Sequence, residues 1–153
     1  MKHRWAALAS VVLALSALTP SVVTAQAGPP PPAPERSQGL RLGQNYPNPF
    51  NPETRIPFAV GDPPACAGPS QYRVSLRIYN LLAQLVAVPV LVGGTDGVEG
   101  GRPIDNLALP CREYTAYWDG KYLNSGREVA SGIYLYRLEV NGRAVVKKMI
   151  VMK

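Results

Sequence analysis

The chain has 153 residues, 46% of them hydrophobic, with 16 prolines, 14 glycines and a formal charge of +6. That length holds one domain with one core, and the Pro and Gly excess marks linkers and turns, since it is local rather than periodic. The cations are scattered and form no stripe interleaved with aromatics, which argues against a nucleic-acid partner.

Residues 1–27 have the form of an export signal: Lys2, His3 and Arg4, a short apolar run from Trp5 to Leu18, and a small-residue exit. Cleavage after Ala27 fits the A-x-A rule, with Ala25 nearly as good. The run is shorter than the roughly 20 residues a bilayer span needs, so no stable membrane span is expected after cleavage. Losing Lys2 and Arg4 takes the charge from +6 to +4. Residues 28–39 follow as a Pro-rich linker, with Pro29, Pro30, Pro31, Pro32 and Pro34 favouring an extended spacer. The folded domain is expected over 40–153.

It opens on LGQNYPNPFNPETRIPF, Leu42 to Phe58. Each proline locks its own φ and pushes the preceding residue towards extended backbone, so the stretch is a stiff, kinked lead-in to a strand over Thr54–Val60. Asn48 and Asn51 are expected to bond back to their local backbone. Pro57 places the strand at a sheet edge. After a loop at 61–70 that holds Cys66, Tyr72 to Tyr79 alternates as a half-buried strand. A turn at 80–84 precedes a strand over Leu85–Leu91.

Residues 92–105 are glycine-rich, but no helix start or Lys-Ser/Thr pair follows, as a phosphate cradle requires. Asp96, Glu99 and Asp105 match no compact calcium loop. The stretch reads as a surface hairpin loop. Strands resume at Cys111–Trp118, with Trp118 as the expected core anchor. Further strands follow over Ile133–Val140 and Ala144–Met152, joined by Asn141-Gly142, a strong two-residue hairpin signal. Lys147 and Lys148 interrupt one face each, so the last register stays open. About seven short strands without an amphipathic helix predict an all-β, Ig-like or fibronectin-III-like antiparallel sandwich.

His3 is the only histidine and lies in the leader. The exported chain then has no imidazole for a nucleophilic triad or a metal. Two cysteines do not make a structural zinc site. No enzyme, cofactor or metal site is expected. In an exported protein the two cysteines, Cys66 and Cys111, are expected to form a disulfide.

The lead-in block Gln44–Pro52 with Thr54-Arg55-Ile56 resembles the opening motif of the type A C-terminal sorting domains of the type IX secretion system. Val74–Asn80, Tyr117–Gly120, Val129–Tyr134, Tyr136-Arg137-Leu138 and Lys147-Lys148-Met149 through Lys153 continue that resemblance in order. The strand pattern is also similar to the Ig-like domain of flagellar hook-capping proteins. The resemblance implies a non-catalytic address that directs export through the periplasm and across the outer membrane, to the cell surface or the medium. Implied partners are the type IX translocon and a sortase that cuts the domain off.

The implied sorting-motif residues are Asn45, Tyr46, Pro47, Asn48, Pro49, Phe50, Asn51, Pro52, Gly132, Tyr134, Tyr136, Lys147, Lys148, Met149 and Lys153. The hairpin from Gly132 to Lys153 is the expected recognition surface, and the Pro-rich stretch before Leu42 the expected cut region. Ala83 stands where the family usually has glycine, which implies a differently built turn. The loops at 61–71 and 92–106 exceed the family's usual length. Only a leader and spacer precede the domain here, where a large passenger is usual. The alternative is an Ig-like envelope or surface module that binds or supports and is never sorted.

Overall fold

A computed structural model describes residues 39–69, 71–93, 99–123 and 125–153. The leader, all of the linker but Gly39, and Asp96 lie outside the described residues. Nine strands run in chain order among the described residues: β1 Leu40–Leu42, β2 Thr54–Val60, β3 Tyr72–Tyr79, β4 Leu85–Ala87, β5 Val90–Leu91, β6 Leu107–Leu109, β7 Arg112–Trp118, β8 Gly132–Val140 and β9 Arg143–Val151. They form two antiparallel sheets, one ordered β1-β2-β7-β5, the other β4-β3-β8-β9 with β6 also on β3. The predicted Ig-like sandwich is the observed architecture, with nine strands rather than about seven.

Period-two alternation builds the core from both inner faces. Ile56, Phe58, Val60, Tyr114, Ala116 and Trp118 line one sheet; Val74, Leu76, Ile78, Tyr136, Leu138 and Met149 line the other. Trp118 is central, with the ring edges of Phe50 and Tyr134 at centroid distances of 5.5 and 6.0 Å. Two tyrosines brace strand starts: the Tyr114 hydroxyl donates to Pro110 O at 2.8 Å and the Tyr134 hydroxyl to Ala130 O at 3.0 Å. Each bonds four residues back, the geometry of a tyrosine corner.

Four sequence expectations change. Strand β2 is not at an edge: it lies between β1 and β7. Pro57 is tolerated because its carbonyl accepts from Gly43 N–H at 2.8 Å on the side where β1 has already ended, and a residue's missing N–H faces the same side as its carbonyl. Gly43 is needed there, since a Cβ would stand 2.6 Å from the Pro57 ring.

The expected strand over 85–91 is two strands in different sheets. The chain crosses between them at Val88-Pro89, where proline cannot donate to a ladder and Pro89 O instead accepts from Ile104 N–H at 2.9 Å. The two described ends of the glycine-rich stretch are joined by Leu91 N–H to Arg102 O and Gly101 N–H to Leu91 O, while residues 94–98 lie outside the described residues. Near its end Ile104 is fully buried, and the unforeseen strand β6 follows.

The turn after β3 also differs from expectation. Asn80 Oδ1 accepts from Leu82 and Gln84 N–H, and Ala83 sits at φ 59, the left-handed region that suits glycine.

Cys66 and Cys111 form the expected disulfide, with Cα atoms 5.6 Å apart. It pins the 61–69 loop to the end of the β2–β7 pair, next to the Val60–Arg112 pairing. Gly61, at φ +73, leaves the room: a Cβ would lie 2.5 Å from Cys111 Sγ.

Candidate functional site

The lead-in block is a long hairpin loop whose tip docks on the other end of the chain. Its arms pair through Tyr46 and Arg55, which exchange two backbone hydrogen bonds of 2.9 Å. Between the arms, residues 47–53 cross the open side of the sandwich and lie along the outer edge of β9. Phe50 N–H donates to Ile150 O at 3.0 Å, and Met152 N–H donates to Phe50 O at 3.1 Å. Ile150 N–H donates to Asn48 Oδ1 at 2.9 Å, and Gln44 Nε2 donates to Lys148 O at 3.1 Å. Asn48 therefore does not fold back on its own turn, as the sequence suggested. It spans 102 positions of the chain to reach the last strand.

Beneath this strap sits a small polar knot. Asn45 is 2% exposed and Thr54 1%. Asn45 Nδ2 donates to Pro47 O and to Thr54 Oγ1, both at 3.0 Å, and the Thr54 hydroxyl donates to Pro47 O at 3.0 Å. The Tyr136 hydroxyl donates to Gly43 O at 2.8 Å and accepts from Asn45 N–H at 3.2 Å. Burial pushes the Tyr136 phenol up to about 12, partly offset by the Asn45 N–H. Among the described residues no buried side-chain nitrogen or oxygen lacks a partner. Buried polar groups cost little when fully bonded, so the knot can select one loop conformation without a large penalty.

The residues of the implied sorting motif divide by depth. Asn45, Phe50, Tyr134, Tyr136 and Met149 are buried and hold the strap and core together. Tyr46, Pro47, Asn48, Pro49, Asn51, Pro52, Gly132, Lys148 and Lys153 are exposed, and Lys147 is half-buried. The β8–β9 register, open in the sequence, places Lys147 opposite Tyr136 and Lys148 opposite Leu135, so Lys147 is the inward one. The chain end is tied by Lys153 N–H to Ser131 Oγ at 3.0 Å and by an ion pair of 2.8 Å to Glu128. That ammonium holds the Glu128 carboxyl below its usual range.

Gly120, at φ +71, lets Pro52 approach so closely that a Cβ would stand 2.0 Å from its carbonyl oxygen. Gln44, Thr54, Gly120 and Ile150 thus belong to the site: each lies in a block that carries the resemblance, yet none is among the implied sorting-motif residues. Only the neighbouring Asn-Pro steps signalled a special loop, and they do not say what it docks on.

A second concavity, about 450 Å³, lies on the outer face of the other sheet against Arg41, Pro57, Ala59, Val92 and Glu113. It contains none of the implied motif residues, and Arg41 and Glu113 satisfy each other across it. Among the described residues no group of three or more His, Cys, Asp or Glu is placed to hold a metal ion. No helix among them is long and apolar enough to cross a membrane. Comparison with protein-family models, with curated proteins and with solved structures finds no match to this chain.

Proposed function

We propose that the chain carries a non-catalytic sorting domain that addresses it to a type IX secretion translocon, with export to the cell surface or medium. The observation that carries this reading is a convergence. Two parts of the implied motif that are far apart in the chain, Asn45–Pro52 and the Gly132–Lys153 hairpin, lie side by side, joined by bonds from Asn48, Phe50 and the adjoining Gln44 to β9. A label read by another protein needs contiguous, rigid surface, and the strap supplies it: its tip is exposed while Phe50 and Asn45 anchor it from below. Its recognition chemistry is side-chain and backbone display, with no reactive group involved.

The test is a fluorescent reporter carrying a Sec signal and fused ahead of residues 28–153, expressed in a host with a working type IX system. The reporter should reach the surface or medium, and the same reporter without the domain should stay in the periplasm. Periplasmic retention of both overturns the sorting role and leaves an Ig-like envelope module. That second reading is favoured by the structural work that Asn45, Phe50 and Tyr136 already do in completing the sandwich.

A further inference from the structure

The strap bonds only the second half of the β9 edge; β1, which belongs to the other sheet, lies beside β9 but exchanges no backbone hydrogen bond with it. The two-residue turn at Asn141-Gly142 makes Val140 and Arg143 a hydrogen-bonded pair, so Ala144, Val146, Lys148 and Ile150 point their N–H and C=O away from β8. The strap takes up Ile150 N–H and O and Lys148 O. Among the described residues nothing bonds the outward N–H and C=O of Ala144 and Val146, or the N–H of Lys148. Both Ala144 and Val146 are exposed. This free ladder is flanked by three cations, Arg143, Lys147 and Lys148, which make no ion pair among the described residues, and β9 has no acidic residue.

We propose that Arg143–Lys148 is a strand-addition site for an extended, acidic segment of a partner protein. The inference holds whether that partner belongs to a translocon or to another envelope assembly. An added strand would satisfy up to five backbone groups, from Ala144, Val146 and Lys148, before meeting the strap at Gln44 and Asn48. Arg143 and Lys147 lie four residues apart on the same face, so the partner's acids are expected four apart as well. Charge decides between this occupant and a second copy of the chain. Two β9 edges side by side would gather six cations with no counter-charge, and inward-pointing Lys147 is a known guard against such pairing. An acidic strand turns the same cations into cross-strand partners.

The probe is acetyl-TEVTVET-amide, whose two glutamates stand four apart and read alike in either direction, with acetyl-TKVTVKT-amide as the control. On ¹⁵N-labelled protein at low salt, TEVTVET should shift residues 143–148, slow amide exchange at Ala144, Val146 and Lys148, and lose its effect as salt rises. TKVTVKT should do nothing. Val146→Pro removes an outward donor that the β8–β9 ladder does not use, and should abolish the shifts. The double variant Arg143→Glu with Lys147→Glu keeps every backbone group and should exchange the two peptides' behaviour. Equal binding of both peptides, shifts mapping elsewhere, or a double variant that keeps its preference for TEVTVET would each refute the site. Because the readout is binding to purified protein, it can fail while the reporter is still exported, and the reverse.

Discussion

Ala83 holds a left-handed backbone at φ 59, and its own N–H donates to Asn80 O at 3.0 Å. For an L-residue with a Cβ that conformation costs about 1–2 kcal/mol, and glycine escapes most of it. Glycine also loses more freedom on folding, which returns part of the gain. Ala83→Gly should therefore stabilise the domain by about 0.5–1 kcal/mol in urea denaturation; a loss of stability would mean the turn relaxes in solution.

Tyr136 makes a pH prediction. Below pH 10 the phenol is protonated in both folded and unfolded chains. Above it the unfolded chain releases the proton while the folded one keeps it until about 12, because burial disfavours the phenolate. The unfolded state then binds fewer protons, so stability falls as pH rises from about 10 to about 12, by roughly 2–3 kcal/mol. Tyr136→Phe should lose about 1–3 kcal/mol at neutral pH by orphaning Gly43 O and Asn45 N–H, yet show a shallower alkaline decline. Some decline should persist, since burial also raises Tyr114 and Tyr134.

Among the elements, the long strands follow from local pattern, whereas the short ones depend on neighbours. Strands β2, β3, β7, β8 and β9 announce themselves because each runs seven to nine residues, long enough for period-two alternation to be read. β1 and β6 have three residues each, too few for alternation to be read, and exist because β2 and β3 offer them a ladder. The loop between β2 and β3 has no ladder of its own and relies on Cys66–Cys111. With a sequence separation of 45 residues, the bond is worth about 4 kcal/mol on the chain-entropy estimate. Reduction by dithiothreitol should lower the urea midpoint accordingly. The double variant Cys66→Ser with Cys111→Ser should match the reduced protein; an unchanged midpoint would show that the loop is held without the bond.

At the scale of the whole molecule, the sandwich is closed by the two ends of its own domain. The strap from β1 to β2 bonds the C-terminal part of the β9 edge, and Phe50 enters the core there at 2% exposure against Trp118. Phe50→Ala should cost about 3–5 kcal/mol, as large buried aromatics do. It should also unpin the covered edge, so hydrogen exchange at Ile150 and Met152 should accelerate more than at the β2–β7 pair. If exchange rises evenly across both sheets, the strap is simply part of the global core.

Local pattern in the chain carried the class of fold, the Asn-Gly hairpin and the Trp118 anchor, because period-two burial and turn residues act over a few positions and leave a readable trace; the cysteine pairing was legible because the chain has only two. Long-range packing set the rest: Pro57 sits inside a sheet, the 85–91 run changes sheets at Pro89, and Lys147 rather than Lys148 turns inward. The same packing brought Asn48 to Ile150 and left the outward backbone groups of Ala144 and Val146 without a partner among the described residues. Those outcomes depend on which distant strand satisfies each backbone group, and a chain's local alternation contains no record of its partner.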